Sequence, residues 1–133
     1  MISSRLNEGR LWNVFHDGSI CHVKGEVPGP LELTIEFEYL RELFLPEGEA
    51  FIIHLEHCVL FRFDSYDSEM NNDIDMEILS CRVDTDVLKV FCVEGILNIE
   101  YRTAYVTLDS GSPITLQQLE STAQAYWDDF SKR

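Results

Sequence analysis

Residues 31–38 read Leu31-Glu32-Leu33-Thr34-Ile35-Glu36-Phe37-Glu38. Apolar and polar side chains alternate without a break, which is the period of a β-strand. One face is dry, and the other carries Thr34 and three glutamates. A single wet face favours an antiparallel sheet, because strands in parallel sheets are covered on both sides. Gly29-Pro30 stands before this strand as a turn signal.

The pattern extends outward in both directions. Upstream, Asp17-Gly18 opens an earlier strand from Ser19 to Val23. Downstream, Glu38 to Phe44 predicts a short helix with Tyr39, Leu40 and Leu43 on one side, and Pro46-Glu47-Gly48 breaks the chain. Ala50 to Phe63 is the longest strand candidate. Phe51, Ile53, Leu55, Val59, Phe61 and Phe63 share one face there, with only His57 polar among them. Ile52, Cys58 and Leu60 make the other face partly apolar, which predicts a central strand. Three further strands follow near 76–83, 87–93 and 96–108, with Thr85-Asp86 and Glu94-Gly95 as tight turns. The last of them has a phase fault. Leu97, Ile99, Tyr101 and Tyr105 are odd-numbered but Ala104, Val106 and Leu108 are even, so a bulge or bend near Thr103 is expected.

The period changes after the loop Asp109-Ser110-Gly111-Ser112-Pro113. Thr115 and Gln118 fit a capping box. Leu116, Leu119, Ala123, Tyr126, Trp127 and Phe130 then recur at three and four, predicting an amphipathic helix from Thr115 to Phe130. Its aromatic end should bury against the sheet. The expected fold is α+β: a curved antiparallel sheet of six or seven strands closed by one C-terminal amphipathic helix. Pleckstrin-homology-like barrels show that order of elements, and helix-grip folds show it less well. Such a likeness of fold carries no function with it.

Composition bounds the rest. The 133 residues are 45% hydrophobic and 26% charged, as expected of one globular domain spanning 1–133. A chain of this size needs no disulfide or metal to hold a core. The 24 acidic residues against 10 Lys and Arg give a net charge of −14. Nucleic acid and anionic membrane are excluded as partners by that repulsion. Glu8 interrupts any signal-like apolar run near the N-terminus, and no window approaches a membrane span, so a cytoplasmic protein is expected. Cys21, Cys58, Cys81 and Cys92 include no close pair and all sit in predicted strands. They read as reduced, small hydrophobic residues, with no cofactor or metal expected.

Few residue groups suggest chemistry. His16-Asp17 lacks the further ligands a metal phosphohydrolase requires, and reads as a turn in which Gly18 takes a positive φ. In a regular strand His54 and Cys58 share a face while His57 points away, so three ligands cannot converge from that segment. Glu36 and Glu38 are paired carboxylates on a solvent face. No nucleophile elbow, P-loop, dinucleotide fingerprint or zinc-protease helix is present, and nothing argues for an enzyme. The acid is concentrated in residues 64–79, which carry Asp64, Asp67, Glu69, Asp73, Asp75 and Glu77 and no basic residue. Without ordered spacing and a turn glycine this is no calcium loop. It reads as a solvated loop or as a negative surface that steers a basic partner.

The stretch from Trp12 to Leu40 runs Trp-x-x-x-His-Asp-Gly-x-Ile, then Gly25, then Leu31, Leu33, Ile35 and Tyr39-Leu40. It resembles small bacterial immunity proteins of polymorphic toxin systems, in which a His-Asp turn leads into the first hairpin. The resemblance covers about a quarter of the chain and brings no catalytic residues. It implies a protein that binds and blocks a toxin, often by an acidic face against a basic nuclease. The leading expectation is therefore a non-catalytic binding protein, with Asp64 to Glu77 the first surface to suspect. The rival is a small-ligand protein or enzyme with a cavity between sheet and C-terminal helix, lined by Tyr101, Tyr105, Tyr126 and Trp127. A third arrangement is self-association through a sheet edge.

Overall fold

The computed structural model describes residues 5–66, 76–84 and 86–131. The chain opens with a helix, α1 (Arg5–Val14), to which the periodicity reading assigns no structure. Its apolar residues are few and stand among Glu8, Gly9, Arg10 and Asn13, so its stripe is faint in the letters. Leu11, Trp12 and the following Phe15 are nonetheless fully buried, and Trp12 Nε1 donates to the Tyr101 hydroxyl at 3.1 Å.

β1 (Ser19–Gly25) and β2 (Gly29–Glu36) form the first antiparallel hairpin, as the alternation in 31–38 requires. Leu31, Leu33 and Ile35 face the core while Glu32 and Glu36 face water. The turn before β1 corrects the expectation for Asp17-Gly18. Asp17, not Gly18, takes the positive φ of 74°. Gly18 is required for another reason: a Cβ there would lie 2.8 Å from Phe37 Cδ2 and 3.0 Å from the Phe15 carbonyl.

The short helix is α2 (Glu38–Arg41), and it does not keep Tyr39, Leu40 and Leu43 together. Leu40 is buried, Tyr39 and Leu43 are exposed, and Arg41 is fully buried. Arg41 donates to the carbonyls of Ala50 (2.9 Å) and Pro46 (2.9 Å) and to Asp109 Oδ1 at 2.6 Å. Asp109 Oδ2 accepts the N–H groups of Glu49 (2.8 Å) and Ala50 (3.2 Å). This latch ties the loop after α2 to the end of the last long strand. Gly48 packs so tightly on Arg41 and Asp109 that a Cβ would collide with both.

Among the described residues nine strands make one antiparallel sheet, not six or seven. They continue as β3 (Ala50–Cys58), β4 (Leu60–Ser65), β5 (Met76–Asp84), β6 (Val87–Cys92), β7 (Gly95–Glu100), β8 (Thr103–Leu108) and β9 (Pro113–Ile114). The order is β4-β7-β6-β5-β1-β2-β3-β8-β9. Two of the added strands come from predicted strands that break, and β9 adds another just before the terminal helix, where a loop is expected. Ala50–Phe63 divides because His57 takes a positive φ of 54°. Its regular alternation ends there: Cys58 turns into the core and Val59 turns out to solvent, so neither lies on the face expected of it. The predicted fault near Thr103 is present, with Tyr101-Arg102 separating β7 from β8. The two breaks lie opposite each other, joined by Val59 N–H to Glu100 O (2.9 Å) and Arg102 N–H to Glu56 O (3.0 Å).

The paired breaks bend a double ribbon. β3 and β8 pair in one wing of the sheet, and their continuations β4 and β7 pair in the other. Both wings face one core in which Leu33, Ile35, Ile53, Leu55, Leu88, Val90, Leu97 and Ile99 are all fully buried. Burying each such side chain contributes about 1.5–3 kcal/mol. The sheet is open, with β4 and β9 as its edges, and is not closed by a helix. The terminal helix, α3 (Leu116–Ser131), starts as predicted: Gln118 N–H donates to Thr115 Oγ1 at 3.1 Å and Thr115 N–H to Gln118 Oε1 at 2.8 Å. Leu119 is buried, and the helix lies against α1 and α2. At its aromatic end Tyr126 is half-buried and Trp127 is 36% exposed, so neither buries as expected; the Phe130 side chain lies outside the described residues.

Candidate binding cleft

Four segments distant in sequence meet where β2 runs into α2. Phe37 is buried between them, which leaves Glu36 and Glu38 on either side of it at the surface. The turn before β1 brings Asp17 and Ser19 alongside, and α3 brings Tyr126 and Trp127. Together with Tyr39 these residues line a cleft of about 360 Å³. A second cleft of about 400 Å³ adjoins it, sharing Glu36 and Glu38 and adding Glu42, Gly48 and Glu49.

The aromatic wall is held by its own contacts. His16 stacks on Trp127 with ring centroids 5.6 Å apart, and Tyr126 meets Trp127 edge-on at 5.1 Å. Tyr39 and Tyr126 are near parallel at 6.4 Å. Among the described residues no Lys or Arg makes an ion pair with Asp17, Glu36, Glu38, Glu42 or Glu49. Arg41, the nearest base in sequence, is committed to Asp109 and to backbone carbonyls. Burial opposes ionisation of Asp109. The Glu49 N–H, the Arg41 guanidinium and the Ala50 N–H outweigh it and hold the carboxyl below its ordinary range. Carboxylates beside ring faces attract a cation through charge and through the quadrupole of the rings.

The acidic segment singled out in the sequence is described only at its ends. Asp64 lies on β4, where its carboxylate accepts from Arg62 Nε at 3.3 Å and from the buried amide of Asn98 at 3.1 Å. Glu77 lies on β5, and its N–H donates to Glu94 Oε1 at 2.8 Å. The Tyr66 N–H donates to the carbonyl of the same Glu94, so the two ends of the segment meet at one turn. Asp67, Glu69, Asp73 and Asp75 lie outside the described residues. Of the four aromatic residues expected to line a cavity, Tyr126 and Trp127 do so. Tyr101 is in the core, and Tyr105 stacks on His54 at 4.4 Å on the outer face of the sheet. The sequence reading takes Asp17 as a turn residue, Glu36 and Glu38 as carboxylates on a solvent face and Tyr39 as part of a short helix, and assigns none of them to a shared site. The alternation around Phe37 marks Glu36 and Glu38 as exposed, but nothing local shows that the end of α3 faces them.

One arrangement looks like a catalytic relay. His54 Nε2 is 2.9 Å from Thr107 Oγ1, and His54 Nδ1 is 3.7 Å from Glu32 Oε1. The second distance is too long for the hydrogen bond that would orient a base. Glu32 is directly opposite His54, and His54 opposite Tyr105, so the group reads as cross-strand pairing on a wet sheet face. The four cysteines are free thiols. Burial, and then Glu94, push the Cys92 thiol up to about 12, which leaves it inert at neutral pH. Among the described residues no three His, Cys, Asp or Glu side chains converge as metal ligands, and no helix is long and apolar enough to cross a membrane.

No protein-family model matches this chain, and no curated protein matches it. Among solved structures it is similar to the crystal structure of an uncharacterised protein from Neisseria gonorrhoeae. The two are 17% identical, with a TM-score of 0.39 over 69% of this chain and 91% of that one. A likeness at that level decides neither fold nor function.

Proposed function

We propose that this protein is a non-catalytic, cytoplasmic binding module for a basic protein, of the kind that neutralises a toxin. The observation that carries this reading is the pair of adjoining clefts, whose carboxylates have no Lys or Arg partner among the described residues while aromatic rings stand beside them. A net charge of −14 adds long-range steering, which raises association rates toward a positive surface. Tyr39, Leu43, Leu45 and Trp127 supply exposed apolar area around the acid, the composition of an interface anchor.

The test is coexpression with a toxin encoded beside this gene, followed by association kinetics of the purified pair at low and high salt. Protection and a salt-sensitive association rate are expected. Absence of both overturns the reading. Two variants then distinguish the faces. Gln at Glu36, Glu38, Glu42 and Glu49 should slow capture. Asn at Asp64, Asp67, Asp73 and Asp75 should slow it less, and the reverse ranking would return the binding face to the acidic segment. The cleft volume favours a second reading, a small cationic ligand, which native mass spectrometry of the purified protein would reveal as retained mass.

A further inference from the structure

The sheet edge at β4 selects its neighbour. β4 pairs with β7 on one side, and among the described residues no strand lies on its other side. The Tyr66 N–H donates to the Glu94 carbonyl at 3.0 Å, and the bonded pairs of an antiparallel ladder recur at every second residue. Asp64 and Arg62 therefore turn their backbone groups toward β7, while Phe61 and Phe63 turn theirs to the outer side. We infer that β4 docks on β4 of a second copy of this chain, antiparallel and centred on Phe63, so that two sheets run on as one.

The side chains choose the partner. Charges on an edge turn away any strand that does not answer them. Arg62 and Asp64 stand two apart on the outer face of β4. About an axis through Phe63, Arg62 of each copy falls opposite Asp64 of the other. That makes two ion pairs at non-hydrogen-bonded positions, where Cα atoms lie about 4.5 Å apart and side chains approach most closely. In the same row Leu60 meets the exposed Tyr66 at both ends. On the inner face Phe61 and Phe63 are only partly buried against the core, and the second Phe63 extends their packing. The charges also fix the register. A slip of two residues sets Arg62 against Arg62 or Asp64 against Asp64. A slip of one sets the outer face of one strand beside the inner face of the other. Repulsion between two chains of charge −14 opposes the approach, and 0.15 M salt screens it beyond about 8 Å. The contact is short, so the dimer is a weak one of the micromolar range. β4 contributes no residue to the clefts, so this contact is separate from capture of a basic partner.

Sedimentation equilibrium of the purified chain in 0.15 M salt should show monomer and dimer in exchange. Arg62→Asp should weaken the dimer about tenfold, because symmetry turns both ion pairs into repulsions at once. Asp64→Arg should do the same, each variant keeping its circular dichroism. An equimolar mixture of the two single variants should then associate again, since each supplies the charges the other lacks. Hydrogen exchange of the unaltered chain tests the same contact without any variant. The Phe63 amide should gain protection as protein concentration rises, while that of Leu33, inside the sheet, should not change. A chain that stays monomeric throughout the micromolar range overturns the inference. So does a dimer that both charge reversals leave intact, or a mixture that recovers nothing. A Phe63 amide equally protected at every concentration overturns it as well, because the edge would then be covered within one chain.

Discussion

Arg41 is the residue on which the surface around the cleft depends. It is fully buried, and its guanidinium joins the loop after α2 to Asp109. Replacing it with Met keeps volume but strands the carbonyls of Ala50 and Pro46. A loss of about 3 kcal/mol is expected in urea unfolding, near the lower end for breaking a buried pair because Asp109 can still reach water. A loss below about 1 kcal/mol would show that water replaces the latch. The same contacts set an acid limit. Asp109 ionises below its ordinary range in the fold, so its contribution is complete above the unfolded value of about 3.9. It is lost as pH falls through the lower folded value. Asp109→Asn should therefore flatten the stability curve in that acid window and lower the plateau above it. Trp127 shows the opposite case. Its spacing in the sequence suggested a core ring, yet it stacks on His16 at the surface, so Trp127→Ala should cost about 1 kcal/mol in thermal unfolding. A cost of about 3 kcal/mol or more would mean that the ring packs as core.

At the scale of elements, what could be read depended on how local the cause was. The β1–β2 hairpin and the start of α3 follow from residues within a few positions of one another, and both are as expected. Thr115→Ala removes the cap and should destabilise the protein by about 1 kcal/mol, while Thr115→Ser should be nearly neutral. Equal losses would assign the effect to the threonine methyl instead. The break near Thr103 was legible because it shifts the phase of apolar residues. The break at His57 was not, because Val59, Phe61 and Phe63 continue the odd-numbered pattern straight through it, and only the positive φ at His57 reveals the change. Helix α1 was hidden because, among its described side chains, the buried apolar ones are Leu11 and Trp12, with Phe15 just past its end, against a mostly polar background in which Glu8 is buried too. The cleft was hidden for a different reason: it joins Asp17, Glu36, Tyr39 and Trp127, and no periodicity carries across such gaps.

At the scale of the whole molecule, charge and topology work separately. Among the described residues most of the acid is on the outside, where it costs the fold little, Glu8 being the buried exception and Asp109 partly buried, and the sheet edges are guarded. β9 has two residues, and β4 points Arg62 and Asp64 outward, charges that discourage addition of an unmatched strand. Topology has the further consequence. Because the bent double ribbon belongs to both wings, neither wing can detach while the other keeps its full complement of strands. The molecule should therefore lose its structure in a single cooperative step, without a half-unfolded species. Native-state hydrogen exchange tests this directly. The amides of Leu33 and Ile35 in one wing, and of Leu88 and Val90 in the other, should open with the same free energy and the same dependence on denaturant. Were one set released at distinctly lower cost, the bend would be a hinge between two independent foldons, not a shared spine.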